Sequence, residues 1–334
     1  MNAPKPGDRI SEYLLTDLVG SGTFGYVFRA VHHIWKDRVV AVKVPTHPQY
    51  VTALRHEGVT VHGLEHPNIV RALGLDPFAD PPYLVMEYVD GCSLRDLIKQ
   101  HPQGLAIPTL HAVLIGVLSG LEHAHTHGVI HRDLKPENVL IARGGDGSTE
   151  RVEIADVRIT DFGLGQALQS TTHSIMQSGS IMAESGKSIS GTLAYMSPEQ
   201  RDGRDCDAAT DLYAVGVMLF EMVSGERPGG TELPGQLRPG LPAWVDEVFA
   251  RLYARRERRL SSATDVLAAI RAAAVPPLPR ERAAARAGSR GLPPVPPAEP
   301  RVAARTSRPS ASAAAAAGRG DNFCIHCGRA SWSR

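Results

Sequence analysis

The sequence predicts an α+β fold in which short strands come first and helices follow. Residues 39–43 form an apolar run of strand length, and the residues before them alternate like strands. Residues 211–222 instead carry apolar side chains at the spacing of a helix that is buried nearly all round. Because 43% of the 334 residues are hydrophobic, the chain can bury the core that such a fold needs.

Composition divides the chain into one compact unit and a carboxyl-terminal tail. Residues 13–272 alternate apolar runs with turn signals, and we assign them to a single domain. Residues 273–320 are rich in Pro, Ala and Arg and have few large apolar side chains, so burial cannot offset the entropy lost on ordering. We predict a disordered linker there. A short segment with two cysteines, 321–334, ends the chain.

A glycine-rich loop near the start of the domain contains Gly20, Ser21, Gly22 and Gly25. Glycines let the backbone approach a phosphate group and present N–H groups to it. A dinucleotide site would place a helix directly after such a loop and an acidic residue about 20 positions further on. The strand-like run 39–43 comes next instead, so the sequence argues against a dinucleotide site.

The motif that says most about chemistry runs from His131 to Asn138, and a second motif begins at Asp161. Together they place two carboxylates, Asp133 and Asp161, with the amide of Asn138 and the cation of Lys135. Transfer of a phosphoryl group from a magnesium nucleotide to a hydroxyl needs such a set, in which one carboxylate orients the hydroxyl and the other holds metal. A polar turn between two strands is the alternative interpretation, and eight matching residues in order argue against it.

These motifs resemble the eukaryotic-type (Hanks-type) serine/threonine protein kinase family, in its bacterial soluble form, over residues 13–272. Lys135, two positions after Asp133, is typical of the serine/threonine version of the loop. The resemblance implies a two-lobed kinase fold with a small β-rich amino-terminal lobe and a larger, mainly helical carboxyl-terminal lobe. It also implies transfer of the γ-phosphoryl group of Mg-ATP to Ser or Thr hydroxyls of protein substrates.

The resemblance assigns roles to the residues of the catalytic motifs. Asp133 is expected to accept or orient the proton of the substrate hydroxyl, and Lys135 to neutralise charge on the transferred phosphoryl group. Asn138 and Asp161 are expected to bind Mg²⁺, which favours hard oxygen ligands, with Mn²⁺ as the alternative metal. His131 is expected to pack in the core and form hydrogen bonds.

A second set of residues is expected to bind the nucleotide. Lys43 would contact the α- and β-phosphates and pair with Glu57 on a regulatory helix at 52–64; Glu65 is the rival carboxylate. Since that helix contains poor helix formers such as Gly58, we expect it to be mobile. The adenine ring is expected to bond the backbone of a hinge and to lie between apolar side chains, which gives the set Glu87, Val89, Val27, Ala41 and Leu140, with Met86 behind it.

Regulation is predicted from Arg132, which precedes Asp133. In the family, kinases with this arginine are often switched by a phosphate on the activation segment, which here would span 161–199. Residues 170–190 contain nine Ser and Thr residues, so autophosphorylation is a hypothesis, and a solvated loop is the alternative.

Three further residues are expected to support the catalytic lobe rather than take part in chemistry. Asp211, at the start of the helical run, is expected to accept hydrogen bonds from backbone N–H groups of the catalytic loop. Arg259 resembles the arginine that pairs with Glu199, and a solvent-facing arginine is the alternative.

The cysteines Cys324 and Cys327 resemble one half of a zinc ribbon. Zn²⁺ needs four ligands, so His326, a second chain or a partner would have to complete the site. Unligated thiols and a redox pair are the alternatives. The tail is also the region through which we expect any association with a partner or a second copy, and a plain spacer is the alternative.

The sequence therefore predicts an ATP-dependent serine/threonine kinase that acts in signalling. A pseudokinase scaffold is the alternative from another class, and the intact Lys43, Asp133, Asn138 and Asp161 argue against it. No run of 18 apolar residues is present and the four cysteines suggest no disulfide framework, so we expect no membrane segment and a cytoplasmic location. No nucleic-acid partner is expected.

Overall fold

A computed structural model describes residues 3–22, 24–144, 151–162 and 193–274, which belong to one compact unit. Residues 273 and 274 of the predicted linker end the last helix. The rest of the linker and the Cys segment lie outside the described residues, and the boundaries predicted for them stay predictions. Within the described ranges the predicted order of a strand-rich first part and a helical second part is confirmed.

The smaller lobe is built on an antiparallel sheet of six strands in the order β1-β2-β3-β4-β6-β5. The strands are β1 Arg9–Ile10, β2 Tyr13–Ser21, β3 Gly25–His32, β4 Val39–Pro45, β5 Ala72–Asp76 and β6 Tyr83–Glu87. The glycine-rich loop is the turn between β2 and β3, where Gly20 pairs with Val27 and Ser21 with Tyr26. The sheet therefore presents the loop as a hairpin, which is the geometry that the sequence indicates.

One helix, α1 (Val51–His62), packs on the sheet of the smaller lobe. It lies so close to the sheet that a Cβ atom on Gly58 would stand 3.0 Å from Leu75 Cδ2 and 3.1 Å from Leu84 Cδ1. The close packing of the helix on the sheet thus explains why a glycine stands at this position despite its poor helix propensity. Its neighbour Glu57 is fully buried on the same side of the helix.

The larger lobe is mainly helical, as expected, with a small three-stranded sheet. Its helices are α2 Leu94–Gln100, α3 Ile107–Thr126, α4 Pro198–Arg201, α5 Ala208–Ser224, α6 Pro234–Leu237, α7 Ala243–Leu252 and α8 Ala263–Ala274. The sheet has the order β7-β8-β9, with β7 Gly91–Ser93, β8 Val139–Ala142 and β9 Val157–Ile159. This sheet carries the two catalytic motifs, because one precedes β8 and the other follows β9.

Two long helices form the centre of the larger lobe. Every residue of α5 from Ala209 to Val223 is buried, which confirms the prediction of a helix buried nearly all round. Helix α3 is 20 residues long, and eleven of them are buried against the same core. Among the described residues it is the one helix long and apolar enough to cross a membrane by length and composition, and most of its surface is covered by protein.

Candidate active site

Lys43 lies on β4 at the centre of a buried cluster of charges. Its ammonium Nζ is 2.8 Å from both carboxylate oxygens of Glu57, on α1, and 2.7 Å from Oδ1 of Asp161. The lysine side chain is only 4% exposed and Glu57 is fully buried. The structure thus brings Glu57 to Lys43, whereas the rival Glu65 lies exposed beyond the end of α1.

Each of these three groups has a shifted pKa. Burial favours the neutral form of Lys43, but the facing carboxylates of Asp161 and Glu57 outweigh it and raise the lysine pKa. Burial raises the pKa of Glu57, against the effect of Lys43. The pKa of Asp161 is lowered, because the attraction of Lys43 exceeds the cost of burial. The ammonium of Lys43 therefore pairs with two carboxylates, and Glu57, the more buried of the two, is the harder one to ionise.

The catalytic motif forms a second polar cluster. Lys135 Nζ donates to Asp133 Oδ2 at 2.8 Å, and Asn138 Nδ2 donates to the backbone carbonyl of Asp133, also at 2.8 Å. Asn138 ends a single 3₁₀ turn, Pro136–Asn138, that leads into β8. The motif thus folds back on itself, which holds Asp133, Lys135 and Asn138 within hydrogen-bond distance of one another.

A backbone contact joins the two motifs. The N–H of Thr160 donates to the carbonyl of Asn138 at 3.0 Å, and Asp161 follows with a left-handed φ of 64°. The two predicted metal ligands therefore come from adjacent stretches of backbone. A carboxylate and an amide supply hard oxygen atoms, and Mg²⁺ in phosphate-binding sites uses one or two protein ligands together with phosphate oxygens. The donor set fits Mg²⁺, and among the described residues no cluster of three His, Cys, Asp or Glu side chains forms another metal site.

A buried carboxylate on α5 holds the catalytic loop, the stretch from His131 to Asn138, in place. Asp211 Oδ2 accepts from the backbone N–H of His131 at 2.9 Å, and Oδ1 accepts from that of Arg132 at 2.8 Å. The predicted supporting contact is therefore present. A third donor, Nε2 of His125 at 2.8 Å, was missed by the sequence reasoning. The bonds fix Arg132 at φ 66°, a strained conformation for a residue with a side chain.

Two predicted supporting contacts are also present. The ring of His131 is buried, with Nε2 2.9 Å from the carbonyl of Thr160 and its centroid 4.7 Å from that of Phe162. The guanidinium of Arg259 is 2.5 Å and 3.1 Å from the two oxygens of Glu199, and its side chain is 0% exposed. This burial rules out the solvent-facing alternative.

The predicted adenine-contacting side chains come together in one apolar cluster. Ala41, Met86, Val27, Val89 and Leu140 all belong to it, although they come from β3, β4, β6, β8 and the segment after β6. Glu87 ends β6 and pairs with Val40 of β4, so its backbone lies at the edge of this cluster. The side chain of Glu87 accepts from the N–H of Arg71, and the predicted adenine contact concerns the backbone of Glu87 alone.

The glycine-rich loop lies beside Lys43. A Cβ atom on Gly25 would stand 2.8 Å from the carbonyl oxygen of Val44, so only glycine fits there without a shift. Gly22 N–H donates to the carbonyl of Gly25 and closes the hairpin. Part of the predicted site lies outside the described residues, namely residues 163–192 of the activation segment and the pair Cys324 and Cys327.

Comparison with known proteins agrees with this geometry. The family model "Protein kinase domain" matches residues 13–235. The chain is 33% identical over 221 residues to the probable serine/threonine-protein kinase PknB of Lactococcus lactis, covering 65% of this chain and 32% of that protein. It is also 33% identical over 228 residues to the serine/threonine-protein kinase PrkC of Bacillus subtilis, covering 66% and 32%. The chain thus spans about a third of the length of these relatives.

Solved structures show the same fold. The crystal structure of the Mycobacterium tuberculosis PknI kinase domain superposes with a TM-score of 0.61 at 22% identity, covering 81% of this chain and all of that one. The sequence match covers two thirds of the chain and includes both catalytic motifs. The chain therefore belongs to the protein kinase domain family, in its bacterial Hanks-type serine/threonine branch.

Proposed function

We propose that this chain is an ATP-dependent serine/threonine protein kinase. The observation that carries the proposal is the ammonium of Lys43 held at 2.7–2.8 Å between the buried Glu57 and Asp161. Beside it, Asp133 is joined to Lys135 and Asn138. A scaffold without catalysis has no need to keep five ionisable groups and one amide in this arrangement, because burying charged groups is costly even when they are paired.

The proposed reaction moves one phosphoryl group from ATP to a Ser or Thr hydroxyl. The hydroxyl oxygen forms a bond to the γ-phosphorus, the bond from that phosphorus to the β-phosphate oxygen breaks, and ADP leaves. Asp133 orients the hydroxyl and takes its proton. Lys135, 2.8 Å from Asp133, lies where it can neutralise charge on the transferred group.

The nucleotide is proposed to bind between the two lobes. Lys43 would exchange part of its contact with Asp161 for the α- and β-phosphate oxygens while Glu57 keeps it in place. The N–H groups around Gly20, Ser21, Gly22 and Gly25 would cover the phosphates. Asp161 and Asn138 would hold Mg²⁺, which would supply positive charge to neutralise the phosphates. Mn²⁺ is the alternative metal, and comparing activity with either ion tests the choice.

The test is the intact mass of the purified chain after incubation with Mg-ATP and a mixed Ser/Thr peptide pool. We expect steps of about 80 Da on the chain or the peptides. Asp133→Asn is the matched control, since it keeps the size of the side chain and removes the proton acceptor. Circular dichroism would verify that the control is folded. A folded wild type that modifies neither itself nor any peptide would contradict the proposal and favour a nucleotide-binding scaffold.

We propose further that phosphorylation of the activation segment regulates the enzyme. Nε of Arg132 is buried and has no hydrogen-bond partner among the described residues, so a cation directly before Asp133 is left for a charged group to pair with. The Ser and Thr residues at 170–190 are within the segment that would supply it. Phosphosites mapped on active protein test this, and none between 170 and 190 would contradict it.

On sequence grounds alone, Cys324 and Cys327 remain our proposed half-site for Zn²⁺ and the tail our proposed region of association. Metal analysis of the full chain beside Cys324→Ser tests the first, and the oligomeric state of the full chain beside a chain ending at residue 274 tests the second. A metal content that the substitution leaves unchanged would contradict the zinc proposal.

We also propose a cytoplasmic location. The reaction needs ATP, and Cys92 is a free thiol, which suits a reducing compartment. Cell fractionation tests the proposal, and recovery of the chain in a membrane fraction that salt does not release would contradict it.

A further inference from the structure

A charged cavity of about 510 Å³ opens beside the catalytic loop. Its wall includes Glu137, which lies in the 3₁₀ turn between Asp133 and β8, and residues of α2 and α5. The phenol of Tyr195, in the stretch directly before α4, bonds two of the side chains that line the cavity. We call this cavity the α2 pocket. Tyr195 and Asp133 also line one smaller cavity together, so the α2 pocket lies close to the residue that would orient the acceptor hydroxyl.

The inner part of the α2 pocket is closed by an internal arginine. Arg95 Nε donates to Glu137 Oε1 at 2.8 Å and one of its terminal nitrogens donates to Glu221 Oε1 at 2.5 Å. The guanidinium also donates to the hydroxyl of Tyr195, which in turn donates to Glu221. Burial opposes its charged form, but the bonds with Glu221 and Glu137 raise the pKa of Arg95. Both carboxylates are therefore occupied before any ligand enters.

The outer part of the α2 pocket carries cations with little internal pairing. Lys99 Nζ is 3.7 Å from Asp96, and both side chains are more than half exposed, so this contact is weak. Asp96 also accepts from the hydroxyl of Ser93 at 2.6 Å. Arg227, in the Gly- and Pro-rich stretch after α5, is exposed and forms no ion pair within the part of the chain that the structure describes.

This distribution of charge favours one kind of ligand. A basic side chain entering the pocket would find the inner carboxylates used by Arg95 and would face the like charges of Lys99 and Arg227. An acidic side chain would meet Arg227 first, at a position where the cation has no competing carboxylate. Like charges across an interface are unfavourable, whereas opposite charges attract and fix its register. The pocket therefore favours an acidic side chain over a basic one.

We propose that the α2 pocket is a protein-substrate subsite that selects an acidic side chain near the acceptor Ser or Thr. In this site Arg227 attracts the acidic side chain, and Arg95 disfavours a basic one because it occupies the carboxylates of Glu137 and Glu221. The inference rests on the proposed kinase function and adds the class of substrate to it.

The test is a set of peptides with one acceptor Ser and either Glu, Ala or Lys at each flanking position. We expect one position at which Glu raises kcat/KM about two- to fivefold over Ala, the range for an exposed ion pair, and at which Lys lowers it. Arg227→Ala should make the Glu and Ala peptides equal, and Arg227→Glu should reverse the preference toward Lys. Arg251→Ala, which removes an exposed arginine from α7, should leave the profile unchanged.

Removing the arginine that pairs with Glu137 and Glu221 gives a second, independent test of the proposal. Arg95→Ala should turn the same position toward Lys or Arg by about tenfold, because two carboxylates then lack a cation. If this variant does not fold, the variants at the exposed Arg227 still test the proposed charge preference. Phosphorylation with no charge preference at any position, or with a preference that Arg227→Glu does not change, would overturn the assignment and leave the kinase function intact. Absence of phosphorylation by the wild type would instead contradict the proposed function itself.

Discussion

Replacing Asp211 with Asn measures how the catalytic loop is held in place. The carboxylate accepts from the backbone N–H groups of His131 and Arg132 and from the ring of His125, at 2.8–2.9 Å, and it is 1% exposed. Its two oxygens divide the donors, since His131 and His125 bond Oδ2 and Arg132 bonds Oδ1. An amide keeps the shape of the side chain but offers only one oxygen.

The expected cost follows from this division. At least one buried backbone N–H group then faces an NH₂ group, and an unsatisfied buried donor costs about 1–3 kcal/mol. The remaining bonds lose their charge assistance, which is worth about 1 kcal/mol more. We therefore expect Asp211→Asn to lower the free energy of unfolding by about 2–4 kcal/mol, within the roughly 5–15 kcal/mol that a domain has available. Because Arg132 is then free to leave its strained conformation, we also expect kcat to fall.

Urea unfolding at neutral pH measures the loss, with Asp205→Asn as the matched control. Asp205 is exposed, so its substitution should change the free energy of unfolding by less than about 0.5 kcal/mol. A loss below about 1 kcal/mol for Asp211→Asn, or a loss of the same size in the control, would refute the argument that the buried carboxylate organises the loop.

The difference between wild type and Asp211→Asn also depends on pH. Burial opposes ionisation of Asp211, but the hydrogen bond from His125 and the other donors outweigh it and lower the pKa of the carboxyl. A carboxyl group whose pKa is lowered by folding contributes stability above its unfolded value of about 3.9. That contribution is lost as the pH falls through the lower folded pKa. The two unfolding curves should therefore approach each other in acid and differ most at neutral pH.

Two further substitutions test the packing around the site. Arg259→Met leaves the carboxylate of Glu199 buried without its cation, so we expect a loss of about 3–5 kcal/mol in urea unfolding; adding Glu199→Gln should recover part of it, and no recovery would contradict the pairing argument. Gly58→Leu forces α1 away from the strands it touches at 3.0 Å, with an expected loss of about 1–3 kcal/mol and weaker nucleotide binding. An unchanged nucleotide Kd would show that Glu57 does not depend on this close approach.

The site was predictable where its residues are close in sequence. Asp133, Lys135 and Asn138 lie within six positions, so the motif itself carries their arrangement. The contact of His125 with Asp211 joins residues 86 positions apart and exists only because α3 and α5 pack together. The spacing of residues in a single sequence does not predict which helices pack against each other, so this contact could not be predicted.

Gly58 shows a different limit of sequence reasoning. Its poor helix propensity suggested a mobile helix, and that mobility stays a prediction; the structure adds that Gly58 packs closely against β5 and β6. Propensity is a local quantity and cannot register a neighbour from another strand. The choice of Glu57 over Glu65 was within reach of the sequence, since Glu57 shares the buried face of α1 with Leu54 and Val61 at helical spacing.

The burial difference between the two partners of Lys43 bears on how the proposed site works. Glu57 is fully buried, while the side chain of Asp161 is 27% exposed. Only Asp161 can turn toward an incoming metal and nucleotide without first being released from the core. Glu57 has no other cation within reach among the described residues, so it has to keep Lys43 charged and in position while Asp161 changes partner. Moving α1 would withdraw Glu57 and leave the buried ammonium of Lys43 with one carboxylate, so we expect the proposed activity to depend on the position of that helix.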